Sequence, residues 1–289
     1  MHDDGVREDA LGFRCEGASL WGIVSRPPEG VAAQPTSVLI VVGGPQYRVG
    51  SHRQFTLLAR RLAARGFTTL RFDYRGMGDS EGDMRSFEDV GADVHAAVDA
   101  LLSAAPSARQ VVVWGLCDAA SAALMHAGQH PRVSGIVAAN PWARSDASLA
   151  AARVRYYYLS RLMQREFWTK LLGGGMDLRR ALGGFFGNVK QARSAGGGAD
   201  RRPDDAFQVR MARGLAAFRG KLLLIISGND ITAKEFLQHT EGSRAWKGLL
   251  EAPKVSRVDV RDADHTFSSR AWRTQVEDAT LAWLLNTSR

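Results

Sequence analysis

Cysteine is scarce in this chain, with only Cys15 and Cys117 among 289 residues. So few thiols exclude a disulfide framework and point to a reducing, cytoplasmic setting. They also argue against structural zinc, since no His or Cys residues cluster at ligand spacing. Long apolar runs are missing too: none approaches the ~20 residues that a membrane-spanning helix needs. The opening Met1-His2-Asp3-Asp4 lacks the basic-then-apolar order of a secretory leader. There are no internal repeats and no low-complexity tail. Acidic residues are in the minority, 30 against 38 lysines and arginines, for a net charge of +8. The excess is mostly arginine scattered over helices and loops, without a nucleic-acid-binding motif, so it reads as a basic solvated surface.

What is present suits one soluble globular domain with an insertion, 45% hydrophobic and 24% charged. Alternating apolar residues around 11–13 and 20–24 predict a starting hairpin. The run Val38-Leu39-Ile40-Val41-Val42 predicts a strand buried on both faces. Phe55, Leu58, Leu62 and Ala63 share a helical face that Gly66 ends. Further strands are expected at 67–72, 111–114, 133–139, 222–226 and 255–260. Helices are expected over about 87–102, from Ala119, and around Trp272, Val276, Leu281 and Leu284. This alternation predicts a doubly wound, mostly parallel sheet with right-handed crossovers. The rhythm breaks between 143 and 205, where aromatics and two glycine clusters accompany twelve basic and six acidic residues, an excess of six positive charges. The core is therefore assigned to 1–142 and 206–289, and 143–205 to an inserted helical lid.

Three strand ends deliver Cys117, Asp230 and His265. In parallel sheets such residues gather at one carboxyl edge. Nucleophile, acid, histidine is the α/β-hydrolase order. Over nearly its whole length the sequence resembles that superfamily, through Gly115-Leu116-Cys117-Asp118-Ala119 in the place of a G-x-S-x-G elbow and through Asp73-Tyr74-Arg75-Gly76-Met77-Gly78-Asp79-Ser80. The segments Gly43 to Arg53 and Trp114 to Ala120 are similar to type-1 hydrolases associated with the exosortase A system. The first resemblance implies an α/β-hydrolase fold. The second implies a setting of exopolysaccharide and protein-sorting genes, with acyl ligases and carrier proteins nearby.

A lone cysteine is usually a small buried hydrophobe. The strand–turn–helix context instead makes Cys117 the expected nucleophile, because the elbow holds it above the sheet where a helix dipole and an imidazolium favour thiolate. Asp118, an adjacent negative charge, works against this. Cys15 lacks such context and is read as structural. His265 is the expected base and Asp230 the acid that fixes its tautomer; Asp262 and Asp264 compete only by proximity. For the oxyanion hole, the N–H of Asp118 and a donor from the loop after Val42 are expected. Pro45 has no N–H to give, which points to Gln46. Gly44, Arg48, His52 and Arg53 are assigned as substrate contacts, the cations toward a carboxylate or phosphate.

These residues predict an acyl-transfer hydrolase, whether thioesterase, esterase or acyltransferase, working through an acyl-cysteine. Thioesters rank first because attacking and leaving groups are matched thiolates. No cofactor or metal is expected. An acyl carrier protein or coenzyme A would present the acyl group. A hydrolase of activated esters or lactones, resembling dienelactone hydrolases, and a non-catalytic scaffold are the alternatives.

Overall fold

In a computed structural model, which describes residues 5–44, 47–144 and 206–287, the chain opens with the hairpin β1 (Arg7–Cys15) and β2 (Ala18–Arg26). Cys15 pairs with Ala18, leaving the turn Glu16-Gly17 with φ 44° and 90°. Two positive φ values give the turn whose twist matches a hairpin. The remaining strands are β3 (Thr36–Val41), β4 (Thr69–Asp73), β5 (Gln110–Leu116), β6 (Val133–Ala139), β7 (Lys221–Ser227) and β8 (Val255–Val260). They form one sheet in the order β1-β2-β4-β3-β5-β6-β7-β8, antiparallel at the β1–β2 and β2–β4 joins and parallel elsewhere.

Six α-helices follow among the described residues: α1 (Gln54–Ala63), α2 (Gly91–Ala104), α3 (Asp118–His126), α4 (Phe207–Ala217), α5 (Ile231–Gly242) and α6 (Arg270–Thr287). The period-two pattern of the strands divides the core. Val38, Ile40, Val112, Trp114 and Leu116 face Phe55 and Leu62 of α1 and Leu281 and Leu284 of α6. Leu39, Val41, Val111 and Val113 face the other way, toward α2, α3, α4 and Phe236 of α5. Burial on both faces explains the unbroken apolar runs of the central strands. Helices α4 and α5 were not expected from the sequence. α5 buries only Ala233, Phe236 and Thr240, too few residues to mark an apolar face.

The Asp73–Ser80 segment that resembles the superfamily motif is built into the scaffold. The Arg75 guanidinium donates to both carboxylate oxygens of Asp93, at 2.9 and 2.8 Å, and also pairs with Glu16. Asp93 is fully buried on α2. Removing one partner of a buried pair strands the other charge, at a cost of about 3–5 kcal/mol. Arg75→Met should therefore lower the unfolding free energy by that amount, and a change under about 1 kcal/mol in urea titrations would refute it.

The chain divides into two units, residues 1–143 with 207–289, and residues 144–206. Beyond Ala143 and Arg144, the expected lid lies outside the described residues. Among the described residues no helix is long and apolar enough to cross a membrane.

Candidate active site

Strand β5 ends at Leu116 and α3 begins at Asp118, so the chain must turn sharply on Cys117 alone. Its backbone sits at φ 61°, ψ −124°. A β-carbon-bearing residue is rarely found there, and such strain persists only where surrounding contacts over-determine it. Those contacts are present. The Cys117 N–H donates to Ala139 O at 2.9 Å, and its carbonyl accepts from the N–H groups of Ser121 and Trp142, both at 3.2 Å. A β-carbon on Gly115 would lie 2.6 Å from the Ala119 backbone, so the elbow closes only with glycine there. At the second elbow position alanine suffices, with Ala119 packed in the core. Cys117 is half-buried; Cys15 is buried.

The loop after β7 carries Asp230, which caps the N-terminus of α5. Its carboxylate accepts from the N–H groups of Thr232 and Ala233 at 3.1 and 3.2 Å. It also accepts from His265 Nδ1 at 2.7 Å. Burial opposes ionisation of Asp230, but the His265 bond and the two N–H groups outweigh it and hold the carboxyl below its usual range. His265 lies in the loop after β8, which is pinned by the buried Ala263 and Phe267. The Asp230 bond first, and interaction with the Cys117 thiol second, push its ring up to about 10 against the effect of burial. Strand-end placement thus seats the His265 ring on Asp230, within range of interaction with Cys117. Asp264 turns away: its carboxylate accepts from the N–H groups of Thr266 and Ser268.

The loop after β3 meets the elbow through Asp118, whose carboxylate accepts the Gly44 N–H at 2.8 Å. Burial raises its pKa overall, against the lowering effect of nearby backbone N–H groups, Gly44 first. Its other oxygen, Oδ1, is buried with no hydrogen-bond partner among the described residues. A β-carbon at Gly43 would lie 2.1 Å from that oxygen. Gly43 must therefore be glycine to admit the carboxylate. The Gly44 N–H is thus committed to the Asp118 side chain. Gln46, the expected second donor, lies outside the described residues.

Arg48 is buried, and its guanidinium is committed to Asp73 and Asp79. Its N–H donates to Asp73 at 2.8 Å, and its charged group lies 4.2 Å from the Tyr47 ring centre. It ties the loop after β3 to the turn after β4, and its charge is neutralised within the protein. His52 and Arg53 are exposed ahead of α1, both at positive φ, 54° and 59°.

The sequence reading missed Asn140 and Ser227. Asn140 is fully buried at φ 43°, directly after β6, and its side-chain amide reaches the end of β7 and the His265 loop. A polar residue closing an apolar strand, just before a proline, was the available signal.

The profile of the family described as serine aminopeptidase, S33 matches residues 33–178, half of the chain. The chain belongs to this hydrolase family. The matched stretch includes Cys117 and stops before Asp230 and His265, and at the elbow this member has sulfur where the family is named for serine. Among solved structures, an esterase of Pyrococcus furiosus aligns over 98% of this chain and 92% of its own, with a TM-score of 0.66 and 16% identity. Est1E of Butyrivibrio proteoclasticus, solved with ferulic acid bound, covers 96% of this chain and 98% of its own (TM-score 0.62, 14% identity). An α/β serine hydrolase of Xanthomonas campestris described as lacking a lid covers 97% and 94% (TM-score 0.56, 16% identity). These likenesses establish the α/β-hydrolase fold. A comparison with curated proteins gives no match.

Proposed function

We propose that this S33-family hydrolase cleaves or transfers acyl groups held in thioester or ester linkage, through an acyl-Cys117 intermediate. The observation that carries the reading is the His265 ring, bonded to the Asp230 carboxylate at 2.7 Å and interacting with the half-buried thiol on the strained elbow. A ring pushed up to about 10 holds its proton at neutral pH. Such an imidazolium is a poor base toward a hydroxyl but a natural partner for a thiolate. The thiolate attacks the acyl carbonyl, the carbonyl oxygen becomes an oxyanion, and the imidazolium gives its proton to the departing thiol or alcohol. Neutral His265 then takes a proton from water or another acceptor, which attacks the acyl-cysteine and releases the sulfur. Asp230 holds the ring orientation throughout and stabilises its charge.

Thioesters are favoured over amides because thiolate leaves as readily as it attacks. The resemblance to exosortase A-associated hydrolases supports an acyl group delivered on a carrier protein or coenzyme A. The family name supports a different reading, aminopeptidase activity. Under it, amides with a free α-amino group would turn over at rates comparable to thioesters, which the acyl-thioester reading does not expect.

Intact mass spectrometry after brief exposure to a panel of acyl-CoA thioesters tests the proposal. One acyl group should appear on the protein, lost on treatment with neutral hydroxylamine and absent from Cys117→Ala. An adduct that persists in that variant would place the nucleophile elsewhere.

A further inference from the structure

Every bond that Asn140 can make points at the active-site framework rather than at solvent. Its Oδ1 accepts the Ser227 N–H at 2.8 Å, and its Nδ2 donates to Ser227 Oγ at 2.8 Å and to the His265 carbonyl at 3.0 Å. Ser227 Oγ in turn donates to the Asp264 carbonyl at 2.9 Å. The Asn140 N–H donates to Ile225 O at 2.9 Å. One residue thus stitches the end of β6 to the end of β7, and grips the main chain of the two consecutive residues Asp264 and His265.

The residues flanking Asn140 grip the elbow from the other side. Ala139 O receives the Cys117 N–H, and the Trp142 N–H binds the Cys117 carbonyl. Within four residues the chain therefore holds the nucleophile by its backbone and the base loop by a side chain. The backbone is bent to φ 43° to do so. Asparagine tolerates that region better than other branched or bulky residues, and its short amide is the group that can bridge there. A buried amide with all these contacts satisfied is rigid, since any displacement would leave a polar group unpaired.

We infer that Asn140 is a positioning residue, which with Ser227 as its relay sets the distance between the His265 ring and the Cys117 sulfur. The inference rests on the acyl-cysteine reading above. Nothing in the Asn140 side chain touches the reacting atoms; it acts through the main chain that carries His265. Misplacing a catalytic group by about 1 Å costs on the order of 100-fold in rate. Loss of the bridge should therefore fall on kcat and spare substrate binding.

Asn140→Gly is the informative variant, because glycine accepts φ 43° without strain and deletes only the amide. Turnover of an acyl-CoA thioester should fall by roughly 30- to 100-fold in kcat, with KM within about twofold of wild type. The alkaline limb of the pH–rate profile should move to lower pH, because a displaced imidazolium loses its sulfur partner. A merely structural asparagine would lower the melting temperature and leave that limb in place. Ser227→Ala cuts the link to Asp264 and should lower kcat by roughly 10-fold. The double variant should be no worse than Asn140→Gly, since both changes break one bridge. If Asn140→Gly does not fold, Ser227→Ala alone decides. Wild-type kcat and an unmoved limb in the folded variants would overturn the inference while Cys117→Ala is inactive. If Cys117→Ala were itself active, the acyl-cysteine reading would have failed instead.

Discussion

Cys117→Ala should reduce thioester turnover by on the order of 10^5-fold, leaving only what binding and the main-chain donors supply. Stability should hardly change, because alanine keeps the β-carbon and with it the strained backbone. Cys117 sits at φ 61° on the elbow, and strain of this kind is stored at functional sites at about 1–3 kcal/mol. Cys117→Ser separates the role of the atom from the role of the position. The hydroxyl must lose its proton during attack, and the group meant to take it is already protonated. The hydrogen bond with Asp230, the largest influence on His265, survives the substitution. Serine should therefore restore no more than about one-hundredth of wild-type thioester turnover. Steady-state rates on one acyl-CoA series decide the matter, and a serine variant equal to wild type would make the sulfur incidental.

Asp230→Asn should lower kcat by on the order of 10^3- to 10^4-fold, because an amide can hold the wrong tautomer and does not stabilise an imidazolium. It should also move the pH profile. In the wild type His265 is raised above its ordinary range to about 10. The imidazolium is thus populated at neutral pH and lost as pH rises through about 10, so the rate should hold up to that limb and fall beyond it. The sign for stability is the same. A raised imidazole stabilises the fold fully below the ordinary histidine range, and that contribution disappears as pH rises through the folded value. Asp230 is shifted downward, so its contribution is present above the usual carboxylate range and is lost in acid. In Asp230→Asn the alkaline limb should drop by a unit or more. NMR titration of the His265 ring, or pH-dependent alkylation of Cys117, would show it. An unmoved limb would mean that Asp230 serves only as the cap of α5.

Much of this architecture was legible because burial on both faces of a parallel strand leaves a mark no loop can imitate. The five apolar residues from Val38 to Val42 announced β3, and Val133 to Ala139 announced β6 with its observed limits. Cys117, Asp230 and His265 could be singled out because each follows such a strand, and in the structure the His265 ring bonds the Asp230 carboxylate. What stayed hidden depends on pairings with no sequence period. The Asp118 carboxylate on the Gly44 N–H, and Arg48 locked between Asp73 and Asp79, join residues far apart in the chain. An arginine beside a candidate site looks the same on paper whether it waits for a ligand or is already neutralised. Asn140 escaped notice because its partners are mostly backbone atoms, which every sequence contains.

The join between β6 and β7 also bears on how the site is assembled. Leu116 lies beside Ala139, while Ala139 lies beside Ile225, so neighbouring registers in the sheet span very different stretches of chain. Pairings that bridge long separations form late, because the chain must be drawn together before any contact rewards it. The elbow strand joins β6 locally, through Leu116 and Ala139, but reaches β3 only across more than seventy residues, through Val41 and Gly115. Asp230 and His265 arrive only when β7 docks on β6. During biosynthesis the thiol emerges well before its acid and histidine, and it gains those partners only once β7 and β8 have joined the sheet.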